Sequence, residues 1–438
     1  MREHRGVSRE ELKNSAIVTV TVLMVLGLVA AWSVLIPGVM VWDNVMVAVI
    51  GSLRLTGPVA AAFAAWVAVR KHRAIRGELT AWRALKAPLA ILAVVTGSFG
   101  ATVLLLTLRA VLSEQAGRLL PSGLAMGAAG LALYVVLGWM LGWGVPYAIT
   151  PLLAGTGTYA LFTWIADGSG WADRLAPATP EPYDLFQGLS AGAFLNQTLW
   201  LLGISAALLL GWAAAVTRQR LALAAAMVAV LTAGTGVARL LAEPRPFATA
   251  QKVVYSCQEW PITVCVHPGM RGGLTELGSA FTGIAARLSG TPAAFQRVEQ
   301  RSRLAAGDAP QGVIPIHVDD LDAGYADRAA AEFVERLSRP CADAVAGGYR
   351  AIVAAWLRGE PLPAGPLAAH QNASTWFSGL SEEQRREWLR MFYADFAGCR
   401  LSAGHFGGFT YAPRPSPTPL MPAGPSRWEP GGMPSPAM

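Results

Sequence analysis

The residues that could do chemistry are few. All four cysteines of the chain, Cys257, Cys265, Cys341 and Cys399, fall in its C-terminal part. In an oxidising compartment they would pair, and four cysteines allow three connectivities. Cys257 and Cys265 flank a proposed turn, which makes a bridge between them the first choice and leaves Cys341 to tie to Cys399. Free buried thiols are the other reading. Zinc would ask for close ligand pairs such as C-x-x-C, and no such pair is present. His267, His317, His370 and His405 lack the H-E-x-x-H spacing that brings two imidazoles and a glutamate base to one helix face, so each reads as a surface or satisfied core residue. No G-x-S-x-G elbow and no G-x-x-x-x-G-K-[ST] phosphate loop occurs. The run DDLDAG at 319–324 lacks the alternation and terminal glutamate of a calcium loop and reads as a solvated turn before a helix near Tyr325. The sequence therefore predicts no enzyme, no metal and no cofactor, and assigns any ATPase activity to a partner subunit.

Two more groups stand out. Arg54 and Arg239 are the only charges inside otherwise apolar segments. Both fall near expected outer ends, where snorkelling to the interface is the plainest role. The segment 70–86, RKHRAIRGELTAWRALK, sets Ile75, Leu79 and Trp82 at helical spacing among basic residues. It reads as an amphipathic helix at the inner surface. It either anchors on anionic lipid or couples to a cytoplasmic partner, and for the second role Arg73, Arg76, Glu78 and Trp82 are the candidates.

These residues must be positioned by elements of two kinds. Of 438 residues 53% are hydrophobic and 14% are charged, against about 25% charged in an ordinary soluble domain. The apolar content is concentrated. Residues 17–36, 87–108, 119–166 and 185–217 carry no charged side chain. A helix needs about 20 apolar residues to cross the hydrocarbon core. The sequence therefore predicts seven spans, at about 17–36, 50–69, 87–108, 123–145, 147–166, 195–216 and 221–241. The segment at 50–69 is interrupted by Arg54 and Pro58. The first span is read as an anchor, its apolar run being longer than a signal-peptide core.

With the N-terminus inside, the inner segments hold twelve basic residues, from Arg2 to Arg220, and the outer loops hold three, Arg109, Arg118 and Arg174. This asymmetry predicts a cytoplasmic N-terminus in the cell membrane and, after seven spans, an extracytoplasmic C-terminal part. From Leu241 onward there are 18 basic and 18 acidic residues. The net charge of +7 thus belongs to the membrane half and is no nucleic-acid signal.

The boundaries that follow are 1–245 for a transmembrane domain, 246–411 for an outer domain and 412–438 for a disordered Pro-rich tail. In the outer domain, 252–267 reads as two strands and 313–318 as another. Stretches 273–289, 325–339, 341–358 and 381–399 read as helices, the last opening on a Ser381–Gln384 capping box. The fold class expected is an α-helical polytopic membrane protein with an α+β or mostly helical extracytoplasmic domain.

The stretch GPVAAAFAAWVAVRKHRAIRGEL at 57–79 and the Gly- and Pro-punctuated GWMLGWGVPYAITPLLAG at 138–155 resemble actinobacterial ABC-2-type permeases and permease-like proteins. So does VCVHP at 264–268, in an outer segment. The resemblance implies a permease subunit of an ATP-driven exporter, working with a separate P-loop ATPase; a homo- or hetero-dimer is expected. The long outer domain is a departure from a minimal six-span permease. The second reading is a membrane-anchored extracytoplasmic binding or scaffold module without transport activity.

Overall fold

The computed structural model describes residues 9–74, 80–168, 170–177, 184–242, 248–250, 253–303 and 312–407. It is mostly helical. The first helices are α1 (Arg9–Val34), α2 (Trp42–Gly51), α3 (Leu53–Ala74), α4 (Ala81–Leu112), α5 (Pro121–Gly144) and α6 (Thr150–Ala166). After the short strand β1 (Gln187–Leu189) come α7 (Ala191–Thr217) and α8 (Arg220–Ala242), then β2 (Ala248–Ala250), which pairs antiparallel with β1.

Six segments among the described residues are long and apolar enough to cross a membrane: Ile17–Val34, Trp42–Arg73, Ala81–Leu112, Pro121–Gly144, Ala191–Thr217 and Arg220–Ala242. The segment expected at 50–69 is thus longer than the sequence suggested. It begins at Trp42, because α2 runs into α3 with a break only at Ser52. The segment expected at 147–166 forms α6. Its 17 residues rise about 26 Å, the short end of what crosses a bilayer.

Small residues set the spacing of the bundle. Ala60, Ala61, Ala64, Ala65 and Ala68 of α3 are fully buried. Facing them on α5, a side chain at Gly138 would run into the carbonyl of Ala61, and one at Gly142 into that of Ala65. The G-x-x-x-G pattern is therefore a close helix contact. Gly203 and Gly236 do the same between α7 and α8. At one end of the bundle Trp139, Trp143 and Trp212 cluster edge-on and stacked, with ring centroids 5.0–6.0 Å apart.

The chain forms two compact units, divided within the C-terminal half. The first takes in residues up to 289 with 293–333; the second takes in 290–292 and the chain from 334. Beyond the helices, the first unit holds a four-stranded sheet. Strands β3 (Ser256–Gln258) and β4 (Thr263–Val266) pair antiparallel, and β5 (Arg297–Gln300) and β6 (Val313–Ile316) continue the sheet in parallel, in the order β3-β4-β5-β6. Helix α9 (Leu274–Leu288) packs on this sheet. Phe281 of α9 meets Phe295 and Phe333, the last from α10 (Tyr325–Arg336). The second unit is built on α11 (Ala344–Arg358), α12 (Ala368–Gly379) and α13 (Glu382–Ala397), around Trp356, Phe377, Trp388 and Phe406. The expected capping box at Ser381 and Gln384 is formed.

Candidate functional site

A densely hydrogen-bonded polar region of the first unit lies where helix ends meet the sheet. The turn after α1 places the Met40 amide 2.7 Å from the Gly269 carbonyl, to which it donates. The Met40 carbonyl accepts from the Ala116 amide at 2.8 Å, and Trp42 N–H donates to the Ala116 carbonyl at 3.0 Å. A fourth segment joins them, since the Leu321 amide donates to the Pro37 carbonyl at 3.0 Å. Backbone from 37–42, 114–117, 267–273 and 319–325 is thereby laced together. Arg271 adds an ion pair to Glu114 at 3.1 Å.

Two side chains hold the geometry. Asn44 folds the turn back onto α2. Its Oδ1 accepts from Ile36 N–H, and its Nδ2 donates to the carbonyls of Ile36 and Val39. Gln300, fully buried, accepts from His267 N–H at 2.8 Å and donates to the Val318 carbonyl at 2.6 Å. His267 itself is buried, and its Nδ1 accepts from the Gly269 amide at 3.1 Å. Burial pushes the imidazole pKa down to about 4, so the ring is neutral at physiological pH. A side chain at Gly269 would collide with Val41, which explains glycine at this crossing. Tyr325 closes the far side, donating to the Gly273 carbonyl at 3.0 Å. Burial, and then a hydrogen bond to Glu276, push its phenol up to about 12.

The residues singled out from sequence are dispersed. Arg54 pairs with Asp167 at 3.4 Å, both side chains more than half exposed. Arg239 is exposed in the last turn of α8. Arg73 donates to the Pro146 carbonyl at 2.7 Å, and Trp82 is exposed at the start of α4. Arg76 and Glu78 lie outside the described residues. The amphipathic helix expected over 70–86 is not a separate element: residues up to Ala74 continue α3, and Ala81 onward opens α4. The cysteine pairs are bonded as Cys257–Cys265, directly opposite each other in the β3–β4 register, and Cys341–Cys399, with Cα atoms 5.4 Å apart. The histidines have ordinary partners: His317 meets Glu332 at 2.8 Å, His370 Nε2 the Val345 carbonyl at 2.9 Å, and His405 Nδ1 the Ser402 amide at 3.0 Å. Asp320 caps the turn before α10 and pairs with Arg328. Among the described residues no three His, Cys, Asp or Glu side chains cluster as metal ligands.

No protein-family model, curated protein or solved structure matches this chain.

Sequence reasoning missed Asn44, Gln300 and the junction they support. The signals were weak ones, a Pro37–Gly38 pair and a lone amide in an apolar run. A buried amide is legible only once its partners, 5 and 18 residues away, are known.

Proposed function

We propose that this protein is a membrane-anchored extracytoplasmic binding or scaffold module, with its helical bundle serving as a rigid platform. The observation that carries the reading is the laced junction. Four segments share backbone hydrogen bonds through Met40, Ala116, Gly269 and Leu321. A helix bundle that had to rock between inward- and outward-open states would strain such bonds. The near-backbone contacts of α5 on α3 also favour one packed arrangement. The twelve-to-three basic asymmetry supports a cytoplasmic N-terminus, and two disulfides suit an oxidising exterior.

The second reading is the permease subunit of an ATP-driven exporter. What favours it is the basic last turn of α3, with Lys71 and Arg73, and the exposed Trp82 at the start of α4, side chains that a cytoplasmic ATPase could grip. Affinity purification of the full chain from its native membranes separates the two. The platform reading expects no P-loop ATPase in stoichiometric amount, and full function in Arg73→Glu and Trp82→Ala strains. An ATPase that co-purifies from wild type and is released by those substitutions would establish the permease reading instead.

A further inference from the structure

A cavity of about 400 Å³ opens between the ends of α1 and α4, beside the junction. One wall is apolar, with Trp32, Leu106 and Ala110; the other is polar, with Arg109, Ser113 and Gln115. The 36–40 turn forms its floor.

Three observations define what fits. First, the Arg109 guanidinium lies over the Trp32 ring, 4.1 Å from its centroid, and no carboxylate pairs with it among the described residues. Glu114, five residues on, is engaged by Arg271. The arginine is thus oriented, yet its donors are open to an anion. Second, Gln115 is held by its amide nitrogen, which donates to Ser113 Oγ at 2.9 Å, while its Oε1 is buried with no hydrogen-bond partner. A buried acceptor left unmatched is costly unless a ligand or water supplies a donor. Asn44, the other amide in the lining, already has its groups committed within the turn. Third, Val25 and Val29 of α1 stand at helical spacing from Trp32, and Leu105 and Leu108 of α4 on the turn before Arg109, all four exposed and suited to a hydrocarbon chain.

We propose that this cavity binds the headgroup of a single membrane phospholipid. Arg109 takes the phosphate, Gln115 Oε1 accepts a hydrogen bond from a headgroup ammonium or hydroxyl, and one acyl chain runs down the α1–α4 face. The site requires only that α1 and α4 span the membrane, so it holds whether the bundle anchors or transports. The arrangement selects among lipids. Phosphatidylethanolamine and phosphatidylglycerol carry an N–H or O–H donor beside the phosphate; phosphatidylcholine carries none.

The test is lipid retention by the full chain. The purified protein is equilibrated in detergent with equimolar phosphatidylethanolamine, phosphatidylglycerol and phosphatidylcholine, and bound lipids are counted by native mass spectrometry. The wild type should retain the first two over phosphatidylcholine by roughly three- to tenfold, the worth of one hydrogen bond. Arg109→Gln should lower retention of all three about tenfold or more, as loss of a charge-assisted pair does, whereas Arg109→Lys should keep most of it. Gln115→Leu should erase the preference and leave phosphatidylcholine retention unchanged. Glycerophosphoethanolamine, which has the headgroup without the chains, should not compete. Equal retention of the three lipids by the wild type would overturn the proposal without recourse to any variant. So would undiminished retention in Arg109→Gln, or displacement of the lipid by the soluble headgroup at equal concentration.

Discussion

His267 sits at the crossing of two networks. Its backbone N–H is held by Gln300, and its ring accepts from Gly269. Protonating the ring would turn Nδ1 from acceptor to donor and set it against the Gly269 amide. The folded pKa of about 4 lies below the ordinary value of 6.5. A histidine depressed in the fold binds its proton more readily when unfolded. Its contribution to stability is therefore fully present above pH 6.5 and is lost as pH falls from there toward 4 and below. The full loss amounts to about 3 kcal/mol. Denaturation midpoints of the purified chain should fall between pH 7 and pH 4.5. His267→Asn, whose Oδ1 can still accept from Gly269, should flatten that slope. An unchanged slope in the variant would assign the pH dependence to other groups. From sequence, His267 read as a surface or satisfied core residue, and it is buried with its ring and backbone N–H both hydrogen-bonded. What the sequence withheld was Gln300, because a glutamine between Glu299 and Arg301 looks like surface until the parallel pairing of β5 buries alternate residues.

At the level of elements, the long uncharged apolar runs carried most of the helices. Gly138 and Gly142 of α5 close onto α3, which offers five buried alanines. Gly138→Ala should destabilise the detergent-solubilised protein by about 1–3 kcal/mol, because the added methyl meets backbone rather than a yielding side chain. Gly157→Ala is the matched control. Nothing lies within 4 Å of that position, and alanine is the better helix former by about 1 kcal/mol. Equal thermal shifts for the two variants would remove backbone proximity as the cause. The elements the sequence hid share a physical reason. Strand β5 reads Arg-Val-Glu-Gln and is made a strand by its two parallel neighbours, not by its own pattern. Helix α12 is rich in small polar residues and buries little beyond His370, Ala373, Ser374 and Phe377. The join of α2 to α3 was masked by Arg54, whose charge is met by Asp167, 113 residues away. In each case the stabilising partner is distant in sequence, where local periodicity carries no information.

For the whole molecule, the prediction is sidedness, and a charge argument and a bonding argument both bear on it. One counts charge: twelve basic residues on the proposed inner segments against three on the outer loops. The other counts crossings. The turn leaving α1 is bonded through Met40 to Gly269, so the sheet region should share a side with the exit of α1. From α1 to α8 that demands an odd number of crossings, hence seven if α2 and α3 count as one. The short α6 must then cross. Local contacts agree: Arg73 at the end of α3 meets Pro146 at the start of α6, while Arg54 near the start of α3 meets Asp167 at the end of α6. The two helices therefore run antiparallel over a similar height. Reporter fusions made after residues 80 and 300 should give opposite signals, cytoplasmic at the first and extracytoplasmic at the second. A fusion after residue 146 should match the first, and one after residue 170 the second. Like signals at 146 and 170 would mean that α6 does not cross. The junction at Met40 and Gly269 could not then form with α8 ending on the opposite face, and the platform reading would fall with it.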